Sequence, residues 1–167
     1  MLVVLGGLPA SGKSTIAAHL ARELPAVHLR IDTIEQAMQR SSIQVSGPEG
    51  YRVACALAED NLRLGHTVIA DSVNPIEQTR NYWRDVARRA SVRIAEIEVI
   101  CSDPIEHRDR VESRVADIPG HKLPSWQQVL ERRFEPWEGV IVIDTSGQTP
   151  QQSLLTLKAR LDVEVGI

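Results

Sequence analysis

Eight residues near the N-terminus, Gly7-Leu8-Pro9-Ala10-Ser11-Gly12-Lys13-Ser14, match the pattern GxxxxGK[ST] without deviation. These residue types suit one task, the holding of a polyphosphate. Glycines let the backbone wrap so that successive N–H groups converge on phosphate oxygens. A helix opening at the end of such a loop adds partial positive charge at the same place. Lys13 supplies a compact ammonium on a flexible stem, able to reach a transferred phosphoryl group. Ser14 offers a hydroxyl to Mg²⁺, and Thr15 follows in the opening turn. Gly7 to Thr15 is therefore the candidate loop for a nucleoside triphosphate with Mg²⁺. Two carboxylates stand in comparable settings further on. Asp32 follows the apolar run 26–31, and Asp71 follows Thr67-Val68-Ile69-Ala70. A carboxylate just beyond a strand can take the proton of an attacking hydroxyl, or hold Mg²⁺ beside the loop serine. Asp71 has the setting of a metal-holding residue paired with Ser14, with contact to a phosphoryl acceptor as its alternative. Asp32 suits catalysis or substrate binding, and it also suits the N-cap of a helix over 33–40.

The elements that must position these residues show as apolar runs alternating with helical periodicity. Strands are expected at 2–6, 26–31, 67–71, 92–101 and 140–143. Helices are expected at 13–23, 33–40, 48–64, 75–90, 104–114 and 125–135, with a last one from about 150. Asn74 reads as the cap of the fourth helix with Pro75 at its first position, and Ser125 as the cap of the sixth. Five such strands alternating with helices predict an α/β fold, a three-layer α/β/α arrangement around a five-stranded parallel sheet. Groups just past the strand ends of such a sheet face the ligand crevice. A length of 167 residues fits one domain, 1–167. The Pro/Gly loop at 115–124, with the turn before it, reads as a short lid over about 108–124.

Arg110 and Arg114 stand four apart just before that loop, so one helical turn places them on one face. Planar guanidinium groups suit both stacking and bidentate phosphate contact. A solvated face laced with Glu106, Asp109 and Glu112 is the alternative. With this pair, the phosphate loop and its size, the chain resembles the small P-loop kinases. It is most similar to the subgroup of chloramphenicol phosphotransferase, the zeta toxins and the polynucleotide kinase domains, from Leu2 to about Leu161. The resemblance implies a P-loop NTPase fold and transfer of the ATP γ-phosphoryl group to a hydroxyl of a small-molecule acceptor. It implies Lys13, Asp32 and Arg114 as catalytic residues, Asp32 orienting or deprotonating the acceptor and Arg114 clamping phosphates. It places Arg110 on the adenine, with the turn at Thr145 and Ser146 beside it. Other P-loop branches lack their signatures. No NKxD or LSGGQ is present, and Asp117-Ile118-Pro119-Gly120 is a DxxG in the wrong setting, read as accidental.

Composition narrows the partners. The net charge is −3, the sequence pI is about 6.0, and Trp, Tyr and Phe number three, two and one. That speaks against a basic, aromatic-lined groove for nucleic acid. The row Arg80, Arg84, Arg88 reads as a solvated helix face, with Arg80 the candidate for an anionic acceptor; the row is the only feature favouring a nucleic-acid 5′-end kinase. A non-catalytic nucleotide-binding regulator is the third reading. Tyr82 and Trp83 read as core. Cys55 and Cys101 read as reduced thiols, and with no signal peptide or membrane span in the sequence the expected setting is cytoplasmic. His28, His107 and His121 show no metal-ligand spacing and receive no role. The acceptor pocket is expected among residues 32–51, with Ile34, Met38, Ile43, Val45 and Tyr51, and among those after Asp71. Of 19 basic residues only Lys13, Lys122 and Lys158 are lysines.

Overall fold

Each apolar run is followed by a helix that carries the chain back over the sheet, so neighbouring strands run parallel. In the computed structural model, which describes residues 1–165, the order is β1 (Leu2–Gly6), α1 (Lys13–Glu23), β2 (Ala26–Arg30), α2 (Ile31–Arg40), α3 (Glu49–Arg63), β3 (Thr67–Asp71), α4 (Glu77–Ala90), β4 (Ile94–Ile100), α5 (Pro104–Ser113), α6 (Trp126–Leu130), β5 (Ile141–Asp144) and α7 (Pro150–Val165). The strands form one parallel sheet in the order β2-β3-β1-β4-β5. This is the expected five-stranded α/β architecture. Alternation along the central strand feeds both faces: Val3 and Leu5 pack with Ile16 and Leu20 of α1 and Leu157 of α7. Leu2 and Val4 pack with Ala58 and Leu62 of α3 and Trp83 of α4. Register then levels the strand ends, with Leu5 opposite Asp71 and Asp71 opposite Arg30.

Three local expectations are corrected. The second helix starts at Ile31, directly after β2, so Asp32 lies in its first turn and Arg30 occupies the N-cap. Asp32 therefore caps nothing. The fourth helix starts at Glu77 with Ile76 at its N-cap. Asn74 is instead fully buried with φ +49. Its Nδ2 donates to Leu5 O at 3.0 Å and its Oδ1 accepts from Trp83 Nε1 at 3.1 Å. It ties the loop after β3 to β1 and to the core tryptophan. The sixth helix ends at Leu130 rather than near 135, although Ser125 caps it as expected, in a capping box with Gln128.

Arg80 explains the early end. It is 2% exposed, neither a solvated residue nor one open to an acceptor. Its Nε donates to Asn74 O at 3.0 Å, Nη1 to Pro136 O at 2.7 Å, and Nη2 to Glu135 O. Its guanidinium carbon also lies 4.7 Å from the Trp137 ring centroid and 5.2 Å from that of Phe134. Residues 134–137 thus run as irregular backbone over Arg80, and Pro136 itself disfavours helix at Glu135. The rest of the row is used elsewhere, Arg84 on Glu96 and Arg88 on Asp85. Trp83 is buried in the core and Tyr82 packs against it, as expected. Arg80→Met strands three carbonyl acceptors together. It should lower the unfolding free energy by about 3 kcal/mol, read by chemical denaturation; a loss under about 1 kcal/mol would show that water replaces the guanidinium.

Candidate active site

The phosphate loop leaves β1 and enters α1 with Gly7, Ala10 and Gly12 at φ +138, +63 and +99. A Cβ on Gly7 would sit 2.1 Å from Val99 O, so only glycine lets the loop cross the end of β4. Lys13 is buried, and its Nζ donates to Leu8 O at 3.2 Å, across the curl of the loop. Burial pushes its pKa down, Arg114 and Arg132 push the same way, and Asp71 and Asp32 oppose them.

Two braces hold the loop from outside. His107 of α5 is buried, with Nε2 2.8 Å from Pro9 O. A carbonyl only accepts, so Nε2 carries the proton. The edge of Trp126 meets the His107 ring at a centroid distance of 5.3 Å. On the other side the Thr145 hydroxyl stands 2.9 Å from Ser11 O and 3.0 Å from Ile100 O. It accepts in turn from Arg110 Nη1 at 2.7 Å, while Arg110 Nη2 donates to Thr145 O at 2.9 Å and reaches Glu106.

Asp71 ends β3, almost inaccessible. Its Oδ2 makes no hydrogen bond and lies 3.4 Å from His28 Nε2 and 3.8 Å from Arg30 Nε. Burial alone would raise its carboxyl pKa. His28, Lys13 and Ser14 outweigh burial and hold it below the usual carboxylate range. Asp32 is more open, with His121 Nε2 3.9 Å from its Oδ2. It lines a cavity of about 430 Å³ together with Lys13, Ser14, Val73 and Arg114. A second cavity, about 410 Å³, joins Gly12, Thr15, Arg110, Arg114, Thr145 and Gln148. A third, about 380 Å³, joins Ser14, His28, Arg30 and Arg114. Lys13, Ser14, Asp32 and Arg114 thus surround one crevice, with Arg110 and Thr145 at its flank and Asp71 buried behind Lys13 and Ser14.

Some expectations about these residues change. Arg114 stands past the end of α5 in extended backbone, so it does not share a helix face with Arg110. Leaving the helix is what lets Arg114 line all three cavities. Asp117, which receives no role as a DxxG motif, has a structural partner. Arg30 grips it with two hydrogen bonds, one of them Nη2 to Oδ1 at 3.1 Å, and its carboxyl is held down to about 2, first by that contact. Arg40 donates to Pro119 O. These contacts tie residues 117–119 to β2 and α2. The acceptor side is mixed, with Val73, Leu123 and Pro124 in its lining, but its apolar residues are not those expected from α2. Ile34 and Tyr51 pack against the core, and the helix α2 face towards the lid carries Asp32, Glu35, Gln36 and Gln39. Burial, then the charges of Asp32 and Glu49, raise the Glu35 carboxyl above its ordinary range. The histidines are the residues that sequence reasoning missed. His28 meets Asp71, His107 braces the loop, and His121 faces Asp32. The one available signal was position, since His28 sits two residues before a strand end and His107 three before Arg110.

The chain matches a family model described as an AAA domain over residues 2–133. A probable adenylyl-sulfate kinase of Aeropyrum pernix is 27% identical, covering 92% of this chain and 88% of its own. Among solved structures, a sugar kinase from Janibacter superposes with a TM-score of 0.71 at 17% identity, covering 98% of this chain and 95% of that one. The Mycobacterium tuberculosis APS kinase in complex with AMPPNP and APS gives 0.68 at 17% identity, covering 96% of each chain. Likeness at these structural identities speaks to the fold. The family match spans most of the chain and includes the phosphate loop, Asp32, Asp71 and the arginine pair: the chain belongs to this AAA-domain family of P-loop proteins.

Proposed function

We propose that the chain is an ATP-dependent kinase that transfers the γ-phosphoryl group to a hydroxyl of a small-molecule acceptor in the cytoplasm, acting as one domain, 1–167, with residues 108–124 as its lid. Within the family we read it as close to the chloramphenicol phosphotransferase, zeta toxin and polynucleotide kinase subgroup. One observation carries the reading. Lys13 and Ser14 of the phosphate loop share a cavity of about 430 Å³ with the open carboxylate of Asp32. A phosphoryl group on the loop and a hydroxyl beside Asp32 fit that space together. The curated relative and the similar structures named as kinases support the same class.

The geometry supports the following roles. Backbone N–H groups of Gly7 to Thr15 hold the phosphates, and Lys13 turns from Leu8 O to the transferred group. Arg114, common to the three cavities, adds charge there. Thr145 and Arg110 line the flank where the base rests. Asp32 orients the acceptor hydroxyl and takes its proton. Ser14 and Asp71 suit Mg²⁺, because Asp71 Oδ2 is buried, ionised and without a hydrogen bond. When bound, the ion would neutralise charge on the phosphate oxygens.

Lys13→Ala should cut turnover by roughly 10²–10³-fold or more, measured as acceptor-dependent ADP release across nucleosides, sugars and antibiotics. Asp32→Asn should slow transfer by about 10²-fold or more and leave ATP affinity within about twofold; full activity in this variant would remove Asp32 from catalysis. His107→Ala frees Pro9 O and loosens the loop. It should weaken binding of a fluorescent ATP analogue by about tenfold, and unchanged affinity would mean that Thr145 suffices as a brace.

A further inference from the structure

We propose that the acceptor carries an oxyanion, a phosphate, sulfate or carboxylate, held by Lys122 and Arg132 across the cavity from Asp32. The proposal rests on the kinase reading and adds the acceptor's charge to it. The cavity that holds Lys13 and Asp32 is lined by four cations, Lys13, Arg114, Lys122 and Arg132, against one carboxylate. Lys13 and Arg114 are accounted for by the nucleotide. Lys13 sits in the phosphate loop, and Arg114 also lines the two cavities that flank α1. Lys122 and Arg132 line neither of those two, and Lys122 also lines a further cavity with Asp32, Glu35 and Gln36 that holds no residue of the phosphate loop, which sets it on the acceptor side.

Their state of pairing sets them apart. Through the lid and the segment after it, the other cations have partners: Arg108 pairs with Glu112, Arg110 with Glu106, Arg114 with Asp117 and Arg133 with Glu135. The basic residues of β2 and α2 facing the lid are engaged too, by Asp117 and Pro119 O. Among the described residues the Lys122 and Arg132 side chains make no hydrogen bond or ion pair. Both are exposed at the rim of a cavity where Arg132 already disfavours the Lys13 ammonium. Unneutralised like charges around one cavity are unfavourable, and an anion seated between them removes the repulsion. Their placement is also built. The capping box at Ser125 sets α6, and Trp126 on His107 anchors its start, so Lys122 before it and Arg132 after it flank one short, fixed helix. A lysine and an arginine together suit a compact oxyanion, the first as a point charge and the second as a fork.

The test loads the protein with AMPPNP and Mg²⁺, so that the phosphate loop is filled, and titrates inorganic sulfate by calorimetry, with acetate in parallel. Saturable sulfate binding is expected, weakened at least about tenfold in a K122Q/R132Q double variant, with AMPPNP affinity as in the unaltered protein. Preference for sulfate over acetate points to a phosphate or sulfate group, and the reverse to a carboxylate. The same sulfate affinity in the double variant, or none in the loaded protein, overturns the proposal. So does a parallel loss of AMPPNP affinity, which would assign both cations to the nucleotide. A second arm compares gluconate with glucose and a nucleoside 5′-monophosphate with its nucleoside as acceptors; faster turnover of a neutral member also overturns it. Failure of the kinase reading looks different: AMPPNP does not bind the unaltered protein, or no acceptor of either pair is phosphorylated, whatever sulfate does.

Discussion

An ammonium at the start of α1 and a carboxylate at the end of β3 are buried near each other. Lys13 is 7% exposed and Asp71 2%. Removing such charges from water costs several kcal/mol each, and attraction offsets that only when their remaining contacts are well placed. The surroundings of the crevice follow from this. Lys13 needs an acceptor and finds Leu8 O, which fixes the curl of the phosphate loop. Asp71 needs positive neighbours, and register brings Arg30 opposite it, with His28 two residues earlier on the same side of β2. The apolar sheet below supplies the low dielectric that makes each contact count.

A loop with three residues at positive φ does not hold its shape by local preference alone. Helix α5 supplies the missing constraint. His107 and Arg110 stand three apart on it, so one face reaches the loop directly at Pro9 and also through Thr145 at Ser11. Buried Val111 seats the same helix. Its other end runs into Arg114 and the lid, and Trp126 returns from beyond the lid to His107. The phosphate loop and the segment after Ser113 are therefore both tied to α5.

Much of this was legible in the sequence because the motifs and the apolar runs are local. The GxxxxGK[ST] match located the loop, and strand-then-aspartate patterns located Asp32 and Asp71. What escaped depended on contacts across long sequence separations. Arg80 shows a helix-surface period, yet a segment more than 50 residues away folds over it. Asn74 before Pro75 has the composition of a cap, and its side chain instead satisfies a buried carbonyl of β1 and the Trp83 indole. The histidines carried no spacing signal because their ring partners lie far away in sequence, Asp71 for His28, Pro9 for His107 and Asp32 for His121. The apolar residues of 32–51 split between core and surface according to helix α2's orientation, which no local pattern sets.

The surplus of arginine over lysine has a geometric reading at this site. Arg30 lies on the edge strand β2, whose residues are all half-buried, and from there it reaches both Asp71 and Asp117. Arg80 serves three carbonyls in different directions, and Arg110 serves a hydroxyl, a carbonyl and a carboxylate. A guanidinium has five N–H donors fixed in one plane, so it can join several elements without losing further freedom per contact. An ammonium offers donors around a single point and remains mobile. Lysine at any of these three positions would satisfy one partner and leave the others stranded in partly buried surroundings. Lys13 has the opposite requirement. In the proposed reaction it holds Leu8 O in one arrangement and releases it for a phosphoryl oxygen in another, which a flexible stem with one charged end permits. On that proposal the arginines make the frame and the lysine is the part that moves within it.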